Sequence, residues 1–103
     1  MLQLMVLYPQ PADVQQFEAD YIIHTALLHE KMAIPPEAKP YTTMKFMNTP
    51  TGPAPFYRTF SMPFESLEIL QAVMSSQAMQ DVAADATRIS TGGPIVVLIG
   101  DAG

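Results

Sequence analysis

Four short apolar runs along the chain predict β-strands. The first covers Leu2–Tyr8 and the last covers Pro94–Gly100, where isoleucine, valine and leucine are almost continuous. Between them, Tyr41–Met47 and Phe56–Met62 are rich in aromatic residues and threonine, which favour strands. Three prolines and a glycine fall in residues 48–55, so this segment is expected to form a loop.

A helical period separates the first two strands. Residues at steps of three and four share one face of a helix: they are Val14, Phe17, Tyr21, His24 and Leu28. Asp13 followed by Gln16 is typical of a capping box at the start of this helix. The helix is expected to end near Met32, before two consecutive prolines.

A second helical stretch is expected from about Glu65 to the Gly92-Gly93 pair. The pair Ser75-Ser76 is expected to interrupt it and to cap a new segment. Its apolar positions form one stripe before the interruption and another after it: Leu67, Leu70 and Met74, then Met79, Val82 and Ala86.

The order strand, helix, strand, strand, helix, strand predicts an α+β fold of the ferredoxin-like βαββαβ type, as a single domain over residues 1–103. Its antiparallel four-stranded sheet would carry both helices on one face. Right-handed crossovers place the first and third strands side by side at the centre of that sheet.

The other face of the sheet is expected to be apolar and uncovered. In the first strand Met5 and Leu7 alternate with Leu2, Leu4 and Val6, so neither side is polar. Four strands of about six residues give a footprint of roughly 380 Å². That area reaches the few hundred Å² that a soluble monomer tolerates as one apolar patch, which predicts a homodimer through this face.

Composition and charge narrow the classes of partner. The 103 residues are 49% hydrophobic and 15% charged, which indicates a core-rich globular protein. Ten acidic against five basic residues give a net charge of -5, which argues against nucleic-acid binding. The absence of cysteine excludes thiolate chemistry and disulfides. No apolar stretch has the length of a membrane span and no signal-peptide pattern is present, so a cytoplasmic protein is expected.

Several segments resemble the EthD-like proteins. They lie in all parts of the chain: Leu4–Pro9, Phe17-Glu18, Tyr21–His24, Phe64–Glu68, Ala83–Asp85 and Gly92–Ile99. The resemblance implies a dimeric α/β barrel, a fold shared with cofactor-free monooxygenases, muconolactone-type isomerases and haem-handling proteins. The family is named for a role in ethyl tert-butyl ether degradation. Where the family often has His-x-Pro-Leu, this chain has His24-Thr25-Ala26-Leu27.

His24 is the leading candidate for a functional residue. It interrupts an apolar stripe one turn from Tyr21, and an imidazole there can act as a general base or orient a ligand. The alternative is a core histidine bonded to a backbone carbonyl or to Tyr21. Asp85 is a candidate partner that would fix the tautomer of His24, and the alternative is a surface acid or a cap to the Arg88–Thr91 turn.

Arg58 is a candidate for ligand binding, together with Tyr21 and His24. It falls with Lys45 on pairing strands, where a cation would hold a carboxylate or phenolate, and the alternative is an ion pair across the dimer seam or a strand-edge charge. His29 lies off the apolar stripe and is expected to be a solvated surface group. No metal and no cofactor are expected, since a spacing of five residues does not place His24 and His29 on one helix face.

Three functions follow from these candidates. The first is a homodimer that binds a small apolar organic compound between helices and sheet, as an accessory to xenobiotic or ether degradation. The second is a cofactor-free monooxygenase, isomerase or decarboxylase with His24 as general base, assisted by Asp85. The third is a structural accessory dimer without a ligand, which a cavity below about 300 Å³ would favour.

Overall fold

Four strands and three helices alternate along residues 1–103 of the computed structural model. They are β1 (Leu2–Pro9), α1 (Val14–Lys31), β2 (Thr42–Lys45), β3 (Phe56–Phe64), α2 (Leu67–Met74), α3 (Gln77–Ile89) and β4 (Val96–Asp101). The predicted ferredoxin-like order is confirmed, with the second helical stretch divided into α2 and α3. None of the helices combines the length and the apolar character that crossing a membrane requires.

The sheet is antiparallel throughout and has the strand order β2-β3-β1-β4. The first and third strands are therefore central, as the crossover argument predicted. β1 and β4 lie in register, with Met5 opposite Leu98 and Leu7 opposite Val96. Met5 also lies opposite Ser61 of β3. The side chains of Met5, Leu98 and Ser61 therefore point to the same side of the sheet.

The edge strand β2 is shorter than the predicted Tyr41–Met47. Its ladder ends at Lys45, although the Phe46 backbone N–H still donates to the Tyr57 carbonyl over 2.8 Å. Met47 is 75% exposed and packs against nothing that would extend the strand. β3, in contrast, continues two residues past the predicted end, to Phe64. Pairing of Phe64 with Leu2 at the start of β1 accounts for the extension.

The helix starts are set by side-chain caps. Asp13 Oδ1 accepts the Gln16 backbone N–H over 3.2 Å, as predicted. The second half of the predicted capping box is wrong, because the Gln16 side chain donates to Asp20 instead. α2 begins after Ser66, two residues later than expected, since Ser66 Oγ accepts the N–H of Ile69. Ser76 caps α3, which confirms the predicted interruption.

The core lies between the helices and one side of the sheet. It comprises two clusters of buried residues that meet at β1: Leu4, Leu28, Tyr41, Phe60, Met62, Phe64, Leu70, Met79 and Val82 in one, and Tyr8, Phe17, Tyr21, Tyr57, Ala86 and Ile89 in the other. Leu67 does not join the stripe predicted for it, since it lies in the first turn of α2 and is 50% exposed. The core thus occupies one side of the sheet, and the helices cover that side only.

The side of the sheet without helices is here called the bare face. Its apolar members, placed there by the register, are Met5, Leu7, Met44, Val96 and Leu98. Met44 is 60% exposed and Leu98 is 49% exposed. The polar residues of β3 on this face are Thr59 and Ser61, so the patch is apolar mainly along β1 and β4. Its free apolar surface calls for a partner.

Candidate functional site

A chain of three polar side chains runs from α3 through α1 to β1. His24 lies on the buried face of α1, and its side chain is 7% exposed. Its Nδ1 is 2.8 Å from Asp85 Oδ2 on α3, and its Nε2 is 3.5 Å from Tyr8 Oη at the end of β1. The structure thus brings together His24 and Asp85, which are 61 residues apart in sequence.

The charge on Asp85 fixes the tautomer of His24. Partial burial raises the pKa of Asp85, but hydrogen bonds from Arg88 and His24 outweigh it and hold that pKa below the usual 3.8. The ionised carboxylate only accepts, so His24 Nδ1 carries the hydrogen that it donates. In the neutral imidazole, His24 Nε2 is then the acceptor, assigned from this hydrogen-bond pattern. Asp85 Oδ1 also accepts from Arg88 Nε over 2.8 Å, which is a side-chain ion pair within α3 and not a cap of the Arg88–Thr91 turn.

Tyr8 supplies the only hydroxyl beside that acceptor. Burial, followed by the nearby Tyr21 and Asp85, raises the pKa of Tyr8 far above its usual 10.0, so the phenol stays neutral. Its O–H donates toward His24 Nε2, but 3.5 Å is well beyond the usual length of such a bond. The two residues are therefore joined by one long hydrogen bond.

An apolar cavity of about 110 Å³ adjoins Tyr8 and His24 between the helices and the sheet. Its walls come from α1, α3, β1 and β4 and include Leu4, Val6, Leu28, Val82, Ala86 and Val97. Thr25 also lines it, but the Thr25 hydroxyl already donates to the Ile22 carbonyl. Gln80 lines it as well, and its side-chain amide donates to the Ser75 carbonyl over 3.4 Å. The Tyr8–His24 pair, with its long hydrogen bond, is thus the main polar feature of a largely apolar space.

The size of this cavity bears directly on the three candidate functions. Its volume of about 110 Å³ is below the ~300 Å³ at which ligand sites usually begin. An apolar cavity of ~150 Å³ is nevertheless known to bind benzene. Size alone therefore favours either an accessory dimer or a ligand no larger than one ring.

Tyr21 and Arg58 lie outside the lining of this cavity. Arg58 Nη2 donates to both carboxylate oxygens of Glu18, over 3.0 and 3.1 Å, and its guanidinium carbon lies 4.8 Å from the Tyr21 ring centre. Burial raises the pKa of Glu18, but hydrogen bonds from Tyr57 and Arg58 outweigh it and leave the pKa lowered. Arg58 is therefore paired within the chain, whereas the alternative interpretation expected an ion pair across the dimer seam.

Glu18, Tyr21, Tyr57 and Arg58 form a second polar cluster, here called the Arg58 cluster. A β-bulge explains why the Arg58 cluster could not be placed from the sequence. The pairing of β1 with β3 shifts between Tyr8 and Pro9, so that Arg58 pairs with Tyr8 and Phe56 pairs with Pro9. Tyr57 is left between these pairs; it packs edge-to-face on Phe17, and its hydroxyl donates to Glu18. Strict alternation of side chains between the two faces of a strand fails at such a shift.

Two buried polar atoms in the Arg58 cluster have no hydrogen-bond partner: Tyr21 Oη and Arg58 Nε. Burial raises the pKa of Tyr21 to about 12, so its hydroxyl stays protonated. Both atoms belong to residues that the sequence selected as ligand-binding candidates. Their position, away from the cavity, separates them from the Tyr8–His24 pair.

His29 is not the solvated surface group that its position in the sequence predicted. Its Nε2 is 2.8 Å from Tyr41 Oη, and its Nδ1 lies 3.2 Å from the Pro35 carbonyl and 3.3 Å from that of Ile34. These bonds tie the segment after α1 back onto the helix. The prediction was wrong because the chain reverses over His29 after Ala33, which adopts a left-handed φ of 54°.

Tyr8 is the site residue that sequence analysis missed. It shares the alternation of Leu4 and Val6, which places it on the helix side of β1, and it ends an apolar run. From that pattern alone, Tyr8 is predicted to be a strand residue and nothing more. A tyrosine at the carboxyl end of a strand, on the same side as His24, is the signal that indicates the pair.

Replacing Asp85 by asparagine is expected to lower the free energy of unfolding at pH 7 by about 1–2 kcal/mol, because two charge-assisted hydrogen bonds are lost. The folded pKa of Asp85 is depressed, so its contribution is present above the unfolded value and is lost as pH falls through the folded value. The difference from wild type should therefore shrink below pH 3.8. Urea unfolding between pH 3 and pH 7 measures it.

Glu65→Gln is the matched control, since Glu65 is exposed and makes no recorded hydrogen bond. It should change the free energy of unfolding by less than about 0.5 kcal/mol at every pH. A loss in Asp85→Asn that stays constant from pH 7 to pH 3 would show that packing, and not charge, stabilises this position.

Comparison with known proteins supports the predicted family resemblance. No protein-family model and no curated protein matches the sequence. Among solved structures, the chain is similar to an EthD family protein from Bacillus halodurans, at 26% identity and a TM-score of 0.80. That match covers 98% of this chain and 97% of the other. The resemblance to the EthD family is thereby confirmed.

Two more distant matches share the fold. A dimeric ferredoxin-like protein of unknown function from Jannaschia is 12% identical, with a TM-score of 0.70 and coverage of 98% of this chain and 99% of that one. An antibiotic biosynthesis monooxygenase is 14% identical, with a TM-score of 0.58 and coverage of 100% and 99%. At these identities the likeness is one of fold.

Proposed function

We propose that this EthD-like chain is a homodimeric protein that binds a small, largely apolar organic molecule in the cavity beside Tyr8 and His24. The observation that carries the proposal is a buried imidazole that lines an apolar cavity, is oriented by Asp85 and makes only one long hydrogen bond at Nε2. Burying a polar atom without a good hydrogen bond is costly, so such an atom calls for an explanation. A ligand that completes its hydrogen bonding supplies one.

The accessory-dimer alternative explains the small volume but not the polar pair. If His24 only filled space in the core, an apolar side chain of similar size would give the fold at least the same stability. Here Asp85 orients the ring, and His24 Nε2 is left 3.5 Å from its nearest partner. The volume of about 110 Å³ then becomes a limit on the ligand, which should be no larger than one six-membered ring.

The bare face supports the homodimer. Leu98, Met44 and their apolar neighbours remain open in the single chain, and a face-to-face arrangement of two sheets would cover them. The Jannaschia protein, which shares this fold, is dimeric. We include in the proposal a role as an accessory in xenobiotic or ether breakdown, which rests on the likeness to an EthD family protein.

Narrowing the cavity should abolish binding of a one-ring probe. Ala83 lines the cavity at its exposed rim on α3, so Ala83→Leu would fill space there without overpacking the buried core. Toluene is the probe, and its affinity should fall by at least about tenfold, because one ring already uses the whole volume. Titration followed by protein NMR measures the affinity.

Ala84→Leu is the matched control, on the next residue of the same helix and outside the lining. It should bind toluene as the wild type does. Equal loss in both variants, or no saturable binding of toluene by the wild type, would contradict the proposal.

Proton transfer on the bound molecule is a second candidate, favoured by the 2.8 Å contact of Asp85 with His24. A carboxylate that holds one imidazole nitrogen leaves the other basic and correctly oriented for a general base. Isomerisation and cofactor-free oxygenation both need such a base. Turnover of muconolactone- or quinol-type substrates with a bell-shaped pH dependence would establish this candidate, and a flat pH response would count against it.

A further inference from the structure

We infer that the ligand of the cavity is a neutral one-ring compound with a single hydroxyl group, of which phenol is the simplest. Its hydroxyl would donate to His24 Nε2 and accept from Tyr8 Oη. This inference rests on the proposed binding function and specifies its chemical class. It follows from three properties of the site: the hydrogen-bonding pattern, the charge and the distance between the two polar atoms.

The site presents one acceptor and one donor. His24 Nδ1 donates a hydrogen bond to Asp85, so Nε2 is the acceptor of the neutral imidazole. Tyr8 keeps its hydrogen and has no other recorded partner, so its hydroxyl is a donor. A hydroxyl group matches both at once, because it donates one hydrogen and accepts another. An ether or a carbonyl oxygen can only accept and would leave the imidazole nitrogen unsatisfied.

The charges around the site exclude an anionic ligand. Each cation near it on the helices or on β3 is already paired with a carboxylate: Arg58 with Glu18, Arg88 with Asp85, and Lys31 with Asp81 at 3.3 Å. None of these three cations lines the cavity. The nearest full charge behind His24 is the ionised Asp85. A carboxylate placed in this apolar space would lose its water and meet no counter-ion.

The 3.5 Å separation leaves room for the inserted oxygen. A hydroxyl oxygen about 2.8 Å from both Tyr8 Oη and His24 Nε2 forms a triangle with them, and both of its hydrogen bonds then have ordinary lengths. The direct contact between the two residues is too long to compete strongly. The ring of the ligand would extend from this point among the side chains of Leu4, Val82 and Ala86.

Four probes of similar size test the class. Phenol, anisole, toluene and benzoate would each be titrated into the wild-type protein by calorimetry. Phenol is expected to bind at least about fivefold more tightly than toluene or anisole, since it alone completes both hydrogen bonds. Benzoate is expected to show no binding at millimolar concentration. The comparison uses the protein as it is and needs no variant.

The variant Tyr8→Phe tests whether Tyr8 Oη recognises the hydroxyl group of the ligand. The ring is kept against Phe17 and Tyr21, so the packing of the cluster is preserved. Phenol affinity should fall by about fivefold and toluene affinity should stay the same or rise. Tyr57→Phe is the matched control, because its hydroxyl donates to Glu18 and lies outside the cavity lining. It should leave both affinities unchanged.

The outcomes separate the two proposals. Equal binding of phenol and toluene, or tight binding of benzoate, would overturn the hydroxyl class while the binding function stands. No binding of any of the four probes would overturn the binding function as well.

Discussion

Replacing Leu98 by glutamate is expected to leave the chain monomeric at micromolar concentration. Leu98 lies on the bare face, 49% exposed in the single chain and opposite Met5 of β1. In a two-fold dimer through this face, two glutamates would be buried near each other without partners. Leaving a buried charge unpaired costs several kcal/mol, so the dissociation constant should rise by about a thousandfold or more.

Sedimentation equilibrium measures this effect directly. The wild type should have twice the chain mass of 11.3 kDa, and Leu98→Glu should have the mass of one chain. Ile22→Glu is the matched control, since Ile22 is 70% exposed on the outer face of α1 and the same charge is added there. It should remain dimeric. Dissociation by Ile22→Glu, with an intact Leu98→Glu dimer, would place the interface on the helices.

Replacing Gly92 by alanine is expected to lower the free energy of unfolding by about 3 kcal/mol. A methyl group at this position would lie 1.7 Å from the Gln10 carbonyl oxygen and 2.6 Å from its carbon. These are backbone atoms at the end of β1, so the clash cannot be relieved by rotating a side chain. The segment between α3 and β4 would have to move away from β1, close to Tyr8.

Gly100→Ala provides the control for Gly92→Ala. Gly100 is in β4, and an added methyl group there would meet nothing within 4 Å. Its unfolding free energy should change by less than about 1 kcal/mol. Urea unfolding at one fixed protein concentration measures both variants. Equal stability of the two variants would show that the approach of Gly92 to Gln10 is not tight in solution.

The arrangement of the elements was predictable because it depends on patterns that span many residues. Alternation in β1 and the 3.6-residue period in α1 each rest on five or more positions, so one irregular residue does not obscure them. The crossover rule then leaves few ways to order the strands. Ser76 was predictable as a cap because its hydroxyl acts on the N–H three residues later.

The errors arose where one residue departs from a regular pattern. The register shift beside Tyr8 brings Tyr57 onto Glu18, and no alternation of apolar residues announces it. The left-handed Ala33 returns the chain over His29, which the helical period could not indicate. In both cases the tertiary contact, and not the local preference, decides the outcome.

The candidate site was predictable only in part. The sequence identified His24 because an imidazole interrupts an apolar stripe, and it offered Asp85 as a candidate partner on the basis of carboxylate chemistry alone. Their contact at 2.8 Å depends on how α1 packs against α3, which no sequence spacing gives. Arg58 was correctly assigned to a strand, but its bond to Glu18 depends on the face of α1 that meets β3.

The central claim is that the cavity beside Tyr8 and His24 takes up a one-ring organic molecule. The most direct test is an NMR measurement of nuclear Overhauser contacts between bound phenol and the protein. The account predicts contacts from the ring protons to the methyl groups of Leu4, Val82 and Ala86, and none to Ile22 on the outer face of α1. Saturating phenol that gives no contact to the cavity methyl groups would contradict it.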